Sequence, residues 1–386
     1  MAFALNFTTN RTKSIGLLCL TFINFLFAWK YIDRISSLAL PIAIVYAIGI
    51  SILAVYLPKL KINEKWVTII FLLLLFLLSF LIFQKIDPID IKVDRWSVIS
   101  SFWGSAFQGE YPYFAKSHRL SPPGPFPIYF ILGLPFYLLG EIGWLAVLGL
   151  VVFLLFTRNK LAKFNYFKVL LFTLLSIAIW YEILVRSTIF TNSTILLCFL
   201  YSIKDYPYKN YKKVLLIGIL AGILLSTRMI FGLCFAIYLI HGLRTKQINF
   251  AQSIIWGLTC VTTLLATLAP FYVLFPQEFW IQNPFNIQGT FLIQPYWQPV
   301  FLLMAILFGY FCKSNKKLIY NYGIVLFLVI LVYIGTHLIE PMADGINLHP
   351  ERFWDGGIDI SYLLFSLPFL IFYSFAKEGS PKVPAM

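Results

Sequence analysis

Asp94 stands near the start of a segment that differs from the rest of this apolar chain. The segment VDRWSVISSFWGSAFQGEYPYF, residues 93–114, carries charges, two glycines and a helix-like spacing of apolar residues. A carboxylate in this position can cap the helix that follows. It can also be the reactive group of a site, a role for which Asp87 and Asp90 are competitors. The residues alone leave both interpretations open.

Cationic side chains outside the apolar runs form a second set of candidates. A guanidinium presents a rigid fork of donors that matches phosphate oxygens. Arg228 is the first choice because it interrupts an apolar stretch, and ionisable groups at membrane depth are costly unless they have a function. The other candidates are Arg352, Arg119, Lys116 and Arg186, of which Arg186 lies close enough to a span end to reach the interface instead.

Three further residues have a functional and a simpler interpretation. Glu110, beside Gly109, is either a substrate-binding acid or a solvated turn residue. Tyr113 either stacks on a sugar ring or belongs to an aromatic belt at the membrane interface. His118 shares no metal-ligand spacing with the other histidines, so a polar loop residue competes with a substrate-binding role.

Composition predicts the class of the protein. Of 386 residues, 60% are hydrophobic and 12% charged, and the mean hydropathy is +0.83. A bilayer core of about 30 Å needs roughly 20 apolar residues in a helix, and residues 66–83 form such a run without any charge. The five cysteines lie in apolar runs without paired spacing, which predicts neither disulfides nor a zinc site. We expect an all-α, polytopic integral membrane protein with a single transmembrane domain, residues 1–386.

Hydropathy predicts about twelve transmembrane helices. They lie near residues 15–32, 36–57, 66–84, 141–157, 167–186, 188–203, 214–227, 229–243, 251–274, 299–312, 319–338 and 358–375. Residues 125–140 are expected to form an interfacial or re-entrant helix, because a crossing there would export the basic cluster after Phe156. Residues 226–228 are expected to separate two short helices.

Basic residues concentrate in one set of loops, and this predicts the orientation. Lys and Arg cluster on the cytoplasmic side of membrane proteins. The pattern therefore places both termini in the cytoplasm and the connection 85–140 on the outer face of the cytoplasmic (inner) membrane. Contact with anionic membrane lipids accounts for most of the net charge of +14, so no nucleic-acid partner is predicted.

The outer connection contains an amphipathic pattern. From Arg95, apolar residues recur at spacings of three and four, while Ser97, Ser100, Ser101 and Gln108 lie on the opposite face. Gly109 can end such a helix in the left-handed conformation. We therefore predict an interfacial helix after Asp94 that forms the floor of an outer pocket.

These features together resemble the GT-C class of membrane glycosyltransferases, and within it the mannosyltransferase-like family. The resemblance is carried by Asp94, Gly109, Pro112, Tyr113, the run SPPGPFPIYF from Ser121, and the segment GILAGILLSTRMIFG at residues 218–232. It covers roughly residues 85–240. The chain departs from the pattern at Arg95, where some relatives have a second acid, and at Val98, where an aromatic residue is common.

The resemblance implies transfer of mannose or another hexose from a polyprenyl-phosphate donor, with inversion and with Asp94 as general base. The cationic candidates would hold the donor phosphate, and the acceptor would be a glycan, a lipid or a protein. No cofactor is implied besides the lipid-linked donor. The acids Glu351, Asp355 and Asp359 leave a divalent metal open, although their spacing matches no recognised site.

Two other functions remain open from the sequence. A flippase or transporter of lipid-linked oligosaccharides would also be polytopic and basic, but its charged sites should lie near the midplane of related halves. A polymerase or ligase of envelope polysaccharides would share the large outer connections and the arginines. Sugar transfer distinguishes the first from an enzyme, and growth of the product chain identifies the second.

Overall fold

The described residues fold mainly into helices. The computed structural model describes residues 2–56, 63–91, 93–205, 210–290, 294–342, 345–355 and 357–376. The α-helices are α1 (Ala2–Ile32), α2 (Ala39–Tyr56), α3 (Glu64–Lys85), α4 (Arg95–Phe107), α5 (Pro127–Leu138), α6 (Gly143–Lys160), α7 (Lys163–Leu175), α8 (Ile177–Leu184), α9 (Ile189–Ile203), α10 (Tyr211–Leu225), α11 (Phe231–Arg244), α12 (Phe250–Leu274), α13 (Pro276–Ile281), α14 (Pro284–Thr290), α15 (Trp297–Tyr310), α16 (Asn315–Leu338), α17 (Glu351–Trp354) and α18 (Leu367–Phe375).

Two strands and two 3₁₀ helices are the remaining elements of the described residues. Strands β1 (Ile339–Met342) and β2 (Gly345–Leu348) form an antiparallel hairpin in which Ile339 pairs with Leu348. Residues Pro112–Phe114 and Ile360–Phe365 form 3₁₀ helices. The hairpin and the short helices α13 and α14 were not predicted from the sequence, because hydropathy reports long apolar runs and these elements are short.

Fewer helices than predicted are long enough to cross a bilayer. In the described residues, α3, α6, α12, α16 and residues 11–32 of α1 have the length and composition of a span, and the bent pair α7–α8 would make a sixth. Each predicted span coincides with helical structure, but the remaining helices are shorter. A helix of 14 residues such as α11 extends only about 21 Å, less than a bilayer core of about 30 Å. The structure therefore supports an all-α membrane protein and does not confirm twelve spans.

The interior and the periphery use apolar residues differently. Helix α18 is buried along its whole length, and α16 along most of it. By contrast, α3 exposes large apolar side chains such as Ile70, Leu73 and Phe76. An exposed, purely apolar helix face is suited to lipid rather than to water. We place α16 and α18 at the centre of the bundle and α3 at its lipid-facing surface.

The break between α7 and α8 is held by polar groups inside the bundle. The two helices meet at an angle of 58° at Ser176, whose hydroxyl donates to Asn24 Oδ1 at 2.8 Å. The Tyr46 hydroxyl donates to the Leu175 carbonyl at 2.8 Å and accepts from the Ile177 N–H at 3.0 Å. Backbone groups that a break releases inside a membrane need such partners. These hydrogen bonds therefore stabilise the bend between α7 and α8.

Contacts between loops agree with the predicted grouping of the basic segments. Arg244 donates to the Cys312 carbonyl at 2.7 Å, and Asn315 donates to Asp205 at 2.9 Å. Both contacts join segments that the sequence predicts on the cytoplasmic side. A separate contact joins α5 to the break between α10 and α11, because the Ile128 N–H donates to the Ser226 carbonyl at 3.1 Å. Helix α4 packs against α5.

Close approach of α6 and α9 generates a test of the packing. A Cβ on Gly149 would lie 2.0 Å from Thr191 Oγ1 and 2.7 Å from its Cα, whereas a Cβ on Gly257 in α12 would meet nothing within 4 Å. We expect Gly149→Ala to destabilise the protein by about 1–3 kcal/mol. The matched change Gly257→Ala should be neutral or stabilise it by up to about 1 kcal/mol. Thermal unfolding in detergent compares the two, and equal midpoints would contradict the α6–α9 packing.

Candidate active site

A cavity of about 320 Å³ opens where the end of α1, the start of α4, the α10–α11 break and the loop before residue 360 meet. Three of its lining residues, Lys30, Arg95 and Arg228, are buried cations. Aromatic residues form much of the remaining wall, including Tyr31, Tyr129, Tyr181, Tyr333 and Tyr362. The charged lining residues are Lys30, Arg34, Arg95, Arg119 and Arg228, together with Asp94, Asp355 and Asp359.

Asp94 precedes α4 but does not cap it through its side chain. Its backbone lies outside the extended region, with φ −99° and ψ 13°, and its carboxylate accepts no hydrogen bond from the first turn. Instead, Asp94 Oδ2 accepts from the Ser117 hydroxyl at 2.8 Å. Ser117 Oγ in turn accepts from the N–H groups of Arg119 and Ser121 at 3.3 and 3.2 Å. The capping interpretation is therefore wrong for this side chain, which is half-buried at the cavity wall.

The predicted amphipathic helix exists, but its buried face differs from the prediction. Helix α4 buries Ile99 and Phe102 against α5, where the Phe102 and Phe130 rings stack at 3.7 Å. It also buries Arg95 and Ser97. Spacing alone placed Ser97 on the polar face of the helix, opposite the apolar residues. The Ser97 hydroxyl is buried because it pairs with His118 Nδ1 at 2.7 Å, a contact 21 residues apart that no local pattern shows.

Arg228 occupies the break between α10 and α11, as predicted. The side chain is 9% exposed, and its guanidinium carbon lies 4.7 Å from the centre of the Tyr129 ring. Within the part of the chain that the structure describes, it forms no salt bridge, and its Nε has no hydrogen-bond partner. A buried cation without an opposite charge is costly. An anionic ligand would supply the missing charge.

Gln288 adds a second unused donor near this break. Its Oε1 accepts from the Met229 N–H at 2.9 Å, which ties α14 to the residue after Arg228. Its Nε2 is buried and has no partner among the described residues, and the residue lines the cavity. Arg228 Nε and Gln288 Nε2 are therefore two buried nitrogen atoms without a partner among the described residues, and both residues line the cavity. This arrangement is suited to an acceptor-rich group such as phosphate.

Arg95 and Asp359, which also line the cavity, are paired with each other. The Arg95 Nη2 contacts Asp359 Oδ2 in a short ion pair, and Ser361 N–H donates to Asp359 Oδ1 at 2.8 Å. Burial alone would raise the pKa of the Asp359 carboxyl, but the Arg95 guanidinium and the Ser361 hydrogen bonds hold that pKa below its usual range. Both groups therefore stay ionised near neutral pH.

Lys30 and Arg34 bring two more cations from the end of α1. Lys30 is 3% exposed, donates to the Ile358 carbonyl at 2.6 Å and lies 5.0 Å from the centre of the Phe353 ring. Lys30 lines the cavity. Arg34 is exposed, with its guanidinium 4.9 Å from the Tyr31 ring centre. Only contacts with residues more than 300 positions away reveal the role of Lys30.

Of the predicted site residues, the structure brings Asp94, Arg228 and Arg119 to the cavity. Three others do not line it. Lys116 and His118 are exposed, and the His118 ring stacks on Trp96 at 5.5 Å. Arg352 is half-buried and donates to the His337 carbonyl at 3.4 Å.

The three remaining predicted residues also lie elsewhere. Glu110 is exposed and lines a separate surface cavity with Glu278 and Phe275. Tyr113 is fully buried, and its hydroxyl donates to the Pro125 carbonyl at 3.3 Å. Arg186 is 1% exposed, pairs with Glu141 at 3.5 Å and donates to the Ile86 carbonyl at 2.9 Å. The structure therefore gives Tyr113 and Arg186 packing partners that the sequence did not show.

Comparisons with known proteins give no match: no family model, no curated protein and no solved structure matches the chain. Among the described residues, no group of three or more His, Cys, Asp or Glu side chains could hold a metal ion. The functional interpretation therefore depends on the chemistry of the cavity itself.

The Arg95–Asp359 pair predicts how stability depends on pH. Because the folded-state pKa of Asp359 lies below its unfolded value of about 3.9, the ionised carboxylate stabilises the fold above that pH, and this contribution is lost as pH falls through the folded-state pKa. We expect Asp359→Asn to lower the unfolding midpoint by several degrees at pH 7. The difference in unfolding midpoint between the wild-type protein and the variant should narrow when both are unfolded at about pH 3–4. A difference that does not change with pH would contradict the ionised pair.

Proposed function

We propose that this protein is a membrane glycosyltransferase that moves one sugar, mannose or another hexose, from a polyprenyl phosphate to an acceptor hydroxyl. One observation carries the proposal. The same cavity holds the Asp94 carboxylate, which accepts a hydrogen bond from the Ser117 hydroxyl, and the buried Arg228 guanidinium, which forms no salt bridge with any described residue. A base and a cation that can bind phosphate are the two parts that this reaction requires.

Asp94 would act as the general base. Its carboxylate takes the proton from the acceptor hydroxyl while the acceptor oxygen forms a bond with C1 of the sugar. The bond between C1 and the phosphate oxygen breaks, and its electron pair stays with the phosphate. Attack opposite the leaving phosphate inverts C1. A single carboxylate is sufficient because phosphate leaves as an anion, whereas a glycosidase needs a second carboxyl group to protonate a leaving alkoxide.

Arg228 would hold the phosphate through bond breaking. Negative charge grows on the leaving phosphate in the transition state, and a fixed cation in a site of low dielectric constant stabilises that charge strongly. Gln288 Nε2, which has no partner among the described residues, is a neutral donor of the same cavity. Arg119 lines the same cavity and is exposed, so it is suited to meet the phosphate as it enters. The donor's apolar tail would lie among the short apolar helices that flank the break.

The same proposal places the reaction on the outer face of the cytoplasmic membrane. The basic loops support this orientation, and the loop contacts made by Arg244 and Asn315 group these segments together. The acceptor would be a glycan, a lipid or a protein that approaches from that face. Lipid-linked sugar serves as substrate, and no nucleic acid takes part.

Asp94→Asn tests the base. The amide keeps the shape of the side chain but cannot accept a proton, and general bases contribute about 10²–10⁴-fold to the rate. We expect transfer of labelled sugar from polyprenyl-phosphate mannose, or from another hexose donor, to fall by at least about 100-fold in membranes with equal expression. Asp90→Asn is the control, since Asp90 does not line the cavity. Unchanged turnover in the Asp94 variant would exclude Asp94 as the base.

Arg228→Met tests the phosphate site. Hydrogen bonds to charged groups are worth roughly 1.5–3 kcal/mol, so we expect kcat/KM for the donor to fall by about 10–100-fold. Arg228→Lys should restore only part of the loss, because an ammonium lacks the planar fork. Lys116→Met removes an exposed cation outside the cavity and should leave donor use unchanged. Normal donor kinetics in Arg228→Met would place the phosphate elsewhere.

A further inference from the structure

Arg95 uses its donors on the C-terminal part of the chain. Its Nη2 pairs with Asp359 and donates to Ser361 Oγ at 3.2 Å, and its Nη1 donates to the Tyr362 hydroxyl at 3.3 Å. The guanidinium carbon also lies 4.6 Å from the centre of the Tyr362 ring. The side chain is 9% exposed. It lines the cavity, and three of its five N–H donors are used in these contacts, while its Nε has no hydrogen-bond partner among the described residues.

The segment that Arg95 contacts is itself fixed to two other helices. The Asp359 N–H donates to the Tyr333 hydroxyl of α16 at 3.0 Å. Lys30, at the end of α1, donates to the Ile358 carbonyl at 2.6 Å. Residues 358–362 are therefore joined to α1, α4 and α16 at once. The Asp359 carboxylate itself is held by the Arg95 guanidinium and the Ser361 N–H, and these contacts favour its ionised form and make it a weak base.

The partners of Arg95 bear directly on Asp94, its neighbour in the chain. Arg95 is the first residue of α4, so its contacts set the position of the helix start. The Asp94 carboxylate is held from the other side by Ser117 at 2.8 Å. Position of a catalytic group matters because a displacement of about 1 Å can cost roughly 100-fold in rate.

We propose that Arg95 and Asp359 form a clasp that positions Asp94 and takes no direct part in substrate chemistry. The clasp consists of the ion pair and the hydrogen bonds of Arg95 to Ser361 and Tyr362. It joins the start of α4 to a segment 264 residues later. In this inference Asp359 positions Asp94 and is not itself the general base. The catalytic part of the inference rests on the proposed function, whereas the structural part does not.

Hydrogen exchange on the full-length protein in nanodiscs tests the structural part. The variants are Asp359→Asn, Arg95→Lys and the double variant. We expect exchange of peptides from 95–107 and 357–366 to rise together in each single variant, with peptides from α12 unchanged. Glu141→Gln is the matched control, because it removes the partner of another buried arginine, Arg186, outside the cavity. Unchanged exchange at the start of α4 in both single variants would overturn the clasp.

Kinetics with labelled polyprenyl-phosphate mannose tests the catalytic part. A positioning pair predicts that each single variant loses about 10–100-fold in kcat, keeps KM for the donor within about twofold, and loses little more in the double variant. Additive losses, or an increased donor KM in Arg95→Lys alone, would make Arg95 a phosphate ligand and overturn the proposal. Loss of turnover in Asp359→Asn with normal turnover in Asp94→Asn would make Asp359 the base.

The hydrogen-exchange measurement and the kinetic measurement test separate parts of the proposal. If the wild-type protein transfers no sugar from any donor, the proposed function fails, while the exchange measurement still decides whether the clasp holds α4. If Asp359→Asn does not fold, Arg95→Lys keeps the charge at position 95 and still weakens the fork geometry, so it carries the test alone.

Discussion

The cost of burying charge inside an apolar bundle governs the arrangement of this protein. Charged groups removed from water need an opposite charge or hydrogen bonds. Arg95 and Asp359 satisfy one another, and Lys30 reaches a backbone carbonyl. Arg228 forms no salt bridge in the described chain, its guanidinium lies over the Tyr129 ring, and its Nε has no hydrogen-bond partner there. The cavity is therefore a place where neutralisation is incomplete, and an anionic ligand would complete it.

Local sequence patterns predict where the helices and breaks of this fold occur better than they predict how many helices cross the membrane. The helix after Asp94 and the break at Arg228 are confirmed, because amphipathic spacing and a polar interruption are local signals. The number of spans is not confirmed, because hydropathy reports apolar composition and not helix length or bending. The 58° bend at Ser176 depends on Asn24 and Tyr46, which are distant in sequence.

The candidate site shows the same limit more sharply. Asp94, Arg119 and Arg228 could be proposed from residue type and position, and the structure brings them to one cavity. Lys30 and Asp359 could not be assigned to it, since their contacts join opposite ends of the chain. Tyr113 and Arg186 carried plausible chemistry in sequence, but tertiary packing gives them structural partners. Residue type identifies candidates, and only long-range contacts decide which of them meet.

The most direct test of the account is product mass. The purified protein is reconstituted into membranes that supply the acceptor and is incubated with a panel of polyprenyl-phosphate sugars. The masses of the lipid and of the acceptor are then measured by mass spectrometry. The account predicts an acceptor heavier by one sugar and an equal amount of free polyprenyl phosphate. Movement of intact lipid-linked sugar across the membrane without transfer, or growth of a polymer by many units, would contradict it.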